Sequence, residues 1–234
     1  MNENKAGTSF SFGHRCVRVI LRSTLRVYFF LMGGIKVAGV DNIPPDGPLI
    51  FAANHVSNLD PLVGWYVGSK FRMLRGIAKE ELWSNPIIGY GMDALGGVKV
   101  KRGTADRNMM RTAIQVLDRG DAIGIFPEGT RSRDGSLQPL QHGFALIAEK
   151  SAATVIPIVI VGTFEMLPPG KKLPKRSPIT VVFGKPIPPG QTSRKQLADL
   201  VEVEMRSMLS QFGPPYSSVN TKIGQESLDA THPA

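Results

Sequence analysis

From Ile35 onward the chain alternates short apolar runs with amphipathic stretches, and few folds accept that order. IKVAGV, PLIFAAN, MLRGIAK, GGVKV, AIGIF, TVIPIVIVG and ITVVFG are rich in the β-branched and small apolar residues of strands. Helical patterns separate them, over residues 62–68, 81–95 (interrupted by Pro86), 104–118, 144–151 and 194–212. The expected fold is therefore α/β: a single domain with a largely parallel central sheet flanked by helices. A chain of 234 residues supplies enough side chains for one such core. Ligands in these sheets gather where strands end and helices begin, so the strand exits are where chemistry is to be sought.

The longest apolar stretch, SAATVIPIVIVGTF over residues 151–164, is short of the roughly 18–20 residues that cross a bilayer. It reads as a buried strand that Pro157 ends or bends. Ahead of the domain, residues 14–34 read HRCVRVILRSTLRVYFFLMGG. Arg15, Arg18, Arg22 and Arg26 fall on one arc of a helix, apolar residues cover most of the rest, and Gly33 and Gly34 stop it. Arginines inside the apolar region make it a poor signal peptide. Two readings fit. One is an amphipathic anchor lying in a membrane interface; the other is a helix packed on the core with an arginine-lined solvent face. Residues 1–33 are accordingly read as a basic membrane-anchoring segment, 34–212 as the catalytic domain and 213–234 as a disordered tail of Gly, Pro, Ser, Asn and Thr.

A net charge of +9 predicts anionic partners. Nucleic acid is disfavoured, because the chain has no aromatic strand motif, zinc signature or helix-turn-helix. One cysteine, Cys16, cannot form an intrachain disulfide. With four histidines and no metal-ligand spacing, neither a metal nor another cofactor is expected. A basic loop carries Lys171, Lys172, Lys175 and Arg176, either as a solvated loop or as a phospholipid contact.

Two strand exits carry the chemistry. NHVSNLD, residues 54–60, places His55 at the end of one strand and Asp60, before Pro61, at the start of a helix. Asp60 has the sequence context of an N-cap. Across the turn its carboxylate and the imidazole can converge, which gives the base and orienting acid of a catalytic triad; a plain cap beside a turn histidine is the alternative. FPEGTRS, residues 126–132, follows AIGIF, with Pro127 and Gly129 forcing a tight exit. It presents Glu128 and Arg131: a bidentate partner for phosphate, and an acid to hold a substrate hydroxyl or orient the arginine, or else a surface salt bridge. Residues 79–103 end in Lys99, Lys101 and Arg102, suited either to phosphate or to protecting an edge strand.

These segments resemble the glycerolipid acyltransferase family, the 1-acylglycerol-3-phosphate acyltransferases in particular. The resemblance covers roughly residues 35–190. It rests on Asn54, His55, Ser57 and Asp60 in the first motif; on Lys79, Leu82, Pro86, Gly89, Gly96 and Arg102 in the second; on the complete FPEGTRS; and on the apolar strand around Pro157. His142 stands before Gly143 where the family often has Lys or Arg. The resemblance implies acyl transfer from acyl-CoA or acyl carrier protein to the sn-2 hydroxyl of lysophosphatidic acid, giving phosphatidic acid, or the same chemistry on another acceptor. It implies His55 as general base oriented by Asp60. Arg131, with Glu128, Gly129, Thr130 and Arg102, would bind the acceptor, and Asn54, Ser57, Lys79, Pro127 and Pro157 would support the motifs. The same reading puts the protein on the cytoplasmic face of the cell membrane, with a lysophospholipid acceptor and an anionic membrane surface as partners.

Overall fold

The apolar runs all enter one sheet. The structure, a computed structural model, describes residues 10–100 and 105–213. Its strands are β1 (Ile35–Ala38), β2 (Leu49–Ala53), β3 (Leu74–Lys79), β4 (Gly97–Val100), β5 (Ala122–Ile125), β6 (Thr154–Val161) and β7 (Ile179–Phe183). They lie in the order β1-β7-β6-β2-β5-β3-β4. Only the β6–β7 pairing is antiparallel, so β1 and β7 run against the other five. The helices are α1 (Phe12–Leu31), α2 (Asp60–Gly68), α3 (Pro86–Ala94), α4 (Ala105–Leu117), α5 (Gly143–Ser151), α6 (Thr163–Met166) and α7 (Arg194–Phe212).

Two apolar layers sandwich the sheet. One side packs β2, β5 and β6 against α4, α5 and α7, through Ile50, Ile123, Phe144 and Met205. The other packs Phe51, Ile156 and Phe183 against α1 and α2, through Leu25, Phe29, Val63 and Trp65. Residues of this kind, such as Ile50 and Ile156, are fully buried, and each contributes about 1.5–3 kcal/mol. Every residue of the central strand β2 is buried, which leaves only its exit for chemistry.

Three local readings change. Pro86 starts a helix instead of interrupting one: a 3-10 turn covers Glu80–Ser84, Asn85 caps, and Pro86 takes the first helical position, where a missing N–H costs nothing. Pro157 does not end β6, which runs through it. Its carbonyl accepts the N–H of Gly184 at 2.8 Å on the β7 side, where its ring nitrogen has no hydrogen to offer and the regular ladder begins one residue later. Asp60 is not a cap but the first residue of α2, and Leu59 holds the cap position.

The largest change concerns α1. Arg18 and Arg22 point into the body: Arg18 donates to the carbonyl of Ala94 at 3.1 Å, and Arg22 to Ser69 Oγ at 2.9 Å and to the carbonyl of Tyr66 at 3.1 Å. Leu25 and Phe29 are buried on the same side. Phe12, Val19, Ile20, Val27, Phe30 and Leu31 are exposed instead, within an arc of about 120°. The arginine-lined solvent face is only half realised: Arg18 and Arg22 turn to the body, while Arg15 and Arg26 stay exposed beside the apolar arc. α3 lies alongside, with the His14 and Tyr90 rings 4.6 Å apart, and adds exposed Ile87 and Ile88. The segment read as a separate anchor is thus seated on the domain. The stretch read as a disordered tail lies outside the described residues from 214 onward.

Candidate active site

At the exit of β2 the backbone turns so tightly that Asp60 reaches back over it. Its Oδ2 accepts the N–H groups of Val56 at 2.7 Å and Ser57 at 2.6 Å, and lies 2.9 Å from Nδ1 of His55. Its Oδ1 accepts the hydroxyl of Thr163 at 2.6 Å. The carboxylate is fully buried, whereas the His55 side chain keeps 17% exposure. Backbone N–H groups only donate, so Oδ2 is an acceptor. Nδ1 therefore carries a hydrogen toward Asp60, and in the neutral imidazole that leaves the lone pair on Nε2.

The exit of β5 lies beside that of β2 because the strands pair in register, Leu49 with Ala122 through Ala52 with Ile125. That offset of 73 continues past the strands and sets His55 opposite Glu128 and Asn58 opposite Arg131. Glu128 is buried, contrary to the expectation of an acid presented at the edge. Its Oε1 accepts the His55 N–H at 2.6 Å and its Oε2 the Gln138 N–H at 2.8 Å. The carbonyl of His55 accepts the N–H of Ser132 at 2.8 Å, and the imidazole stacks on Phe126 at 4.1 Å. FPEGTRS thus clamps the backbone of the histidine on both sides and backs its ring. Gly129, at φ +72°, supplies the left-handed residue that turns the loop.

Other expected residues separate into bracing and exposed groups. Asn54 is buried and joins β6, its amide exchanging hydrogen bonds of 3.1 and 2.7 Å with the backbone of Ile160. Ser57 is buried and donates to the carbonyl of Leu167 at 2.7 Å. Pro127 is buried, and its carbonyl accepts the N–H of Gln141 at 2.7 Å. Arg131 and Thr130 are exposed, and Arg131 donates through Nη1 to Oδ1 of Asn58, not to Glu128. Lys79 ends β3, at the same edge of the sheet. Lys99 lies over the ring of Trp83 at 5.1 Å. Lys101 and Arg102 lie outside the described residues. Among the described residues no group of three or more His, Cys, Asp or Glu side chains could hold a metal.

Sequence reasoning missed Thr163 and Asn58. Thr163 follows β6, a strand neighbour of β2, and is fully buried against Asp60. Gly162 before it adopts φ +94°, with a Cβ there only 2.0 Å from the carbonyl oxygen of Pro178, so glycine alone makes this turn. A threonine after a strand-ending glycine was the available signal; its partner was not visible without the β2–β6 pairing.

The acyltransferase family profile matches residues 34–161, more than half of the chain. The chain belongs to the acyltransferase family. A chloroplastic 1-acyl-sn-glycerol-3-phosphate acyltransferase of Arabidopsis thaliana is 31% identical over 171 residues, covering 71% of this chain and 47% of that protein. The 1-acyl-sn-glycerol-3-phosphate acyltransferase of Bacillus subtilis is 30% identical over 165 residues, covering 70% of this chain and 79% of that one. This acyltransferase therefore spans about half the length of its chloroplast relative and most of its bacillar one. Among solved structures, the 1-acyl-sn-glycerophosphate acyltransferase PlsC of Thermotoga maritima matches with a TM-score of 0.70 and 28% identity, over 86% of this chain and 83% of that one.

Burial raises the Glu128 carboxyl above its ordinary 4.5, against the two N–H donors that favour its charge. The sign follows for an acid: with the folded value raised, the ionised form costs stability as pH climbs past 4.5. In the acyltransferase carrying Glu128→Gln, one N–H donor would meet an amide NH₂. That variant is expected to lose about 1–3 kcal/mol in urea melts at neutral pH. The deficit should be larger below pH 4.5, where the wild type sheds the cost of the buried charge. Because the His55 backbone shifts, kcat should fall by up to about a hundredfold.

Proposed function

We propose that the protein transfers a fatty acyl group from a thioester of coenzyme A or acyl carrier protein to the sn-2 hydroxyl of 1-acylglycerol 3-phosphate, giving phosphatidic acid. The observation that carries this is the braced pair of His55 and Asp60 with Nε2 free, beside the exposed guanidinium of Arg131. Nε2 takes the proton of the hydroxyl as its oxygen attacks the thioester carbonyl. The C–S bond breaks, and the thiolate, from a thiol of pKa about 8.5, leaves and recovers the proton from the imidazolium. No acyl-enzyme is required. Arg131, held by Asn58, binds the phosphate, and the same reading gives Arg102 a supporting part. Glu128 acts through the His55 backbone as a positioning residue.

An acceptor panel with purified protein and one acyl-CoA tests this. Lysophosphatidic acid is expected to be preferred over glycerol 3-phosphate and lysophosphatidylcholine. Arg131→Ala should lower kcat/KM for lysophosphatidic acid about tenfold to a hundredfold, the scale of a lost charge-assisted hydrogen bond. If lysophosphatidic acid is inert while another acceptor reacts, the substrate assignment is wrong.

The same proposal places the protein on a membrane surface, where acceptor and product both reside. Among the described residues no helix is long and apolar enough to cross a membrane. The outward apolar arc of α1 supports docking in the plane of the interface, since contiguous exposed apolar surface calls for a partner. The exposed loop bearing Lys171, Lys172, Lys175 and Arg176 adjoins the end of α1, where Ser177 N–H donates to the carbonyl of Met32 at 2.9 Å. These cations favour the anionic cytoplasmic leaflet, where acyl thioesters are available. Ile20→Glu with Phe30→Glu is expected to abolish co-sedimentation with phosphatidylglycerol vesicles while leaving the melting temperature near wild type. Undiminished binding would reject the docking face.

A further inference from the structure

α2 carries the chain from the catalytic edge of the sheet to the opposite one, and its far end meets α1 in a cationic cleft. The cleft measures about 390 Å³ and is lined by Arg22, Ser23, Arg26, Tyr66 and Lys70. Arg22 has a structural duty there, donating to the carbonyl of Tyr66 and to Ser69 at the end of α2. The Lys70 ammonium lies over the Tyr66 ring at 4.9 Å, which leaves Arg26 exposed at the mouth. Among the described residues none of the three forms an ion pair with an acid. Burial, then Arg22 and Arg26, lowers the Lys70 ammonium, and burial lowers the Arg22 guanidinium. Three like charges gathered without a counter-charge cost stability, which a bound anion would offset. A second cleft of about 230 Å³ shares Tyr66 and Lys70 and continues along Phe29, Phe30, Ile35 and Val37. Charge at one end and apolar walls at the other suit a ligand of the same build.

We infer that this cleft is a second lipid site, distinct from the catalytic centre, that holds the phosphate headgroup of an anionic glycerophospholipid between Arg22, Arg26 and Lys70 with its proximal chain along Phe29 and Phe30. The inference deepens the proposed docking of α1 on a membrane, because the bilayer supplies the lipid. A fixed headgroup beside α1 would set the rotation of the protein on the surface, where the apolar arc alone would set only its depth. Phosphate monoesters and diesters both fit, since guanidinium and ammonium groups grip any phosphate oxygen.

The probe is dioctanoyl phosphatidic acid, short enough to titrate without vesicles, read by calorimetry on the full chain. Arg26 and Lys70 are exposed and repel each other, so Arg26→Ala with Lys70→Ala should fold and melt at or slightly above the wild-type temperature. Wild type is expected to show one saturable site more than this double variant, or that site at least about tenfold tighter. Arg131→Ala should leave the site in place, which separates it from the catalytic grip. Arg26→Lys with Lys70→Arg should restore it. Inorganic phosphate should compete at least about tenfold more weakly than the lipid; equal affinity would make free phosphate the ligand and overturn the lipid assignment. The same sites and affinities in wild type and double variant would overturn the site itself. Because no membrane is present, that failure stands apart from loss of vesicle docking in the α1 variants and from loss of acyl transfer in Arg131→Ala.

Discussion

His55→Ala should lower kcat at least about a hundredfold, and toward ten-thousandfold if no solvent base substitutes, the range for a positioned general base. Thermal stability should hardly move. The bonds that fix residue 55 run through its backbone, from its N–H to Glu128 and from Ser132 to its carbonyl, and alanine keeps both. Asp60 keeps Val56, Ser57 and Thr163 as donors. What goes is the imidazole, with Nε2 and its stacking on Phe126. Steady-state kinetics paired with a melt therefore separates chemistry from folding. Turnover near wild type in a folded variant would end the proposed mechanism.

Asp60→Asn is expected to damage both. The carboxylate receives three donors on Oδ2 and one on Oδ1, and an amide must turn its NH₂ toward one of those sets. Facing Oδ2's partners, it confronts two N–H groups and flips the favoured tautomer of His55, with kcat falling on the order of ten-thousandfold, as loss of the orienting acid in a triad does. Facing Thr163, the hydroxyl can rotate to accept, and the loss is milder. The expected structural cost is about 1–3 kcal/mol, the scale for leaving a buried donor without its acceptor. Stability by urea melt and the pH profile of kcat, measured together, test this. A variant with wild-type stability and rate would remove Asp60 from the site. Thr163→Val offers a gentler comparison, since it deletes the hydroxyl donor and keeps the shape.

How the two motifs cooperate follows from the register of β2 and β5. Because the offset continues beyond the strands, two residues of NHVSNLD meet their counterparts in FPEGTRS: His55 meets Glu128, and Asn58 meets Arg131. A buried acid serves as backbone clamp, and the exposed arginine is held by an asparagine that both motif readings passed over.

α1 gives the clearest case of a pattern whose orientation the sequence left open. Its periodicity fixed a helix with arginines on one arc and apolar residues on another. Periodicity does not say which arc faces the protein. Arg18 and Arg22 found carbonyls at the ends of α3 and α2, and aromatic faces on Trp65 and Tyr66, so that part of the charged arc turned inward while Arg15 and Arg26 stayed exposed.

The amino-acid sequence determined the elements, all seven strands and the helix Arg194–Phe212 among them, because apolar periodicity and capping residues such as Ser193 act over a few neighbours. It also put His55 and Asp60 within reach of each other across a tight turn, although the 2.9 Å contact itself is seen only in the structure. Only the tertiary structure decided that Glu128 braces, that Thr163 completes the carboxylate's shell and that α1 shows its apolar side to solvent. Each of these depends on which strands become neighbours and which surface finds unpaired carbonyls, and contacts 73 to 103 residues apart leave no local trace in the chain.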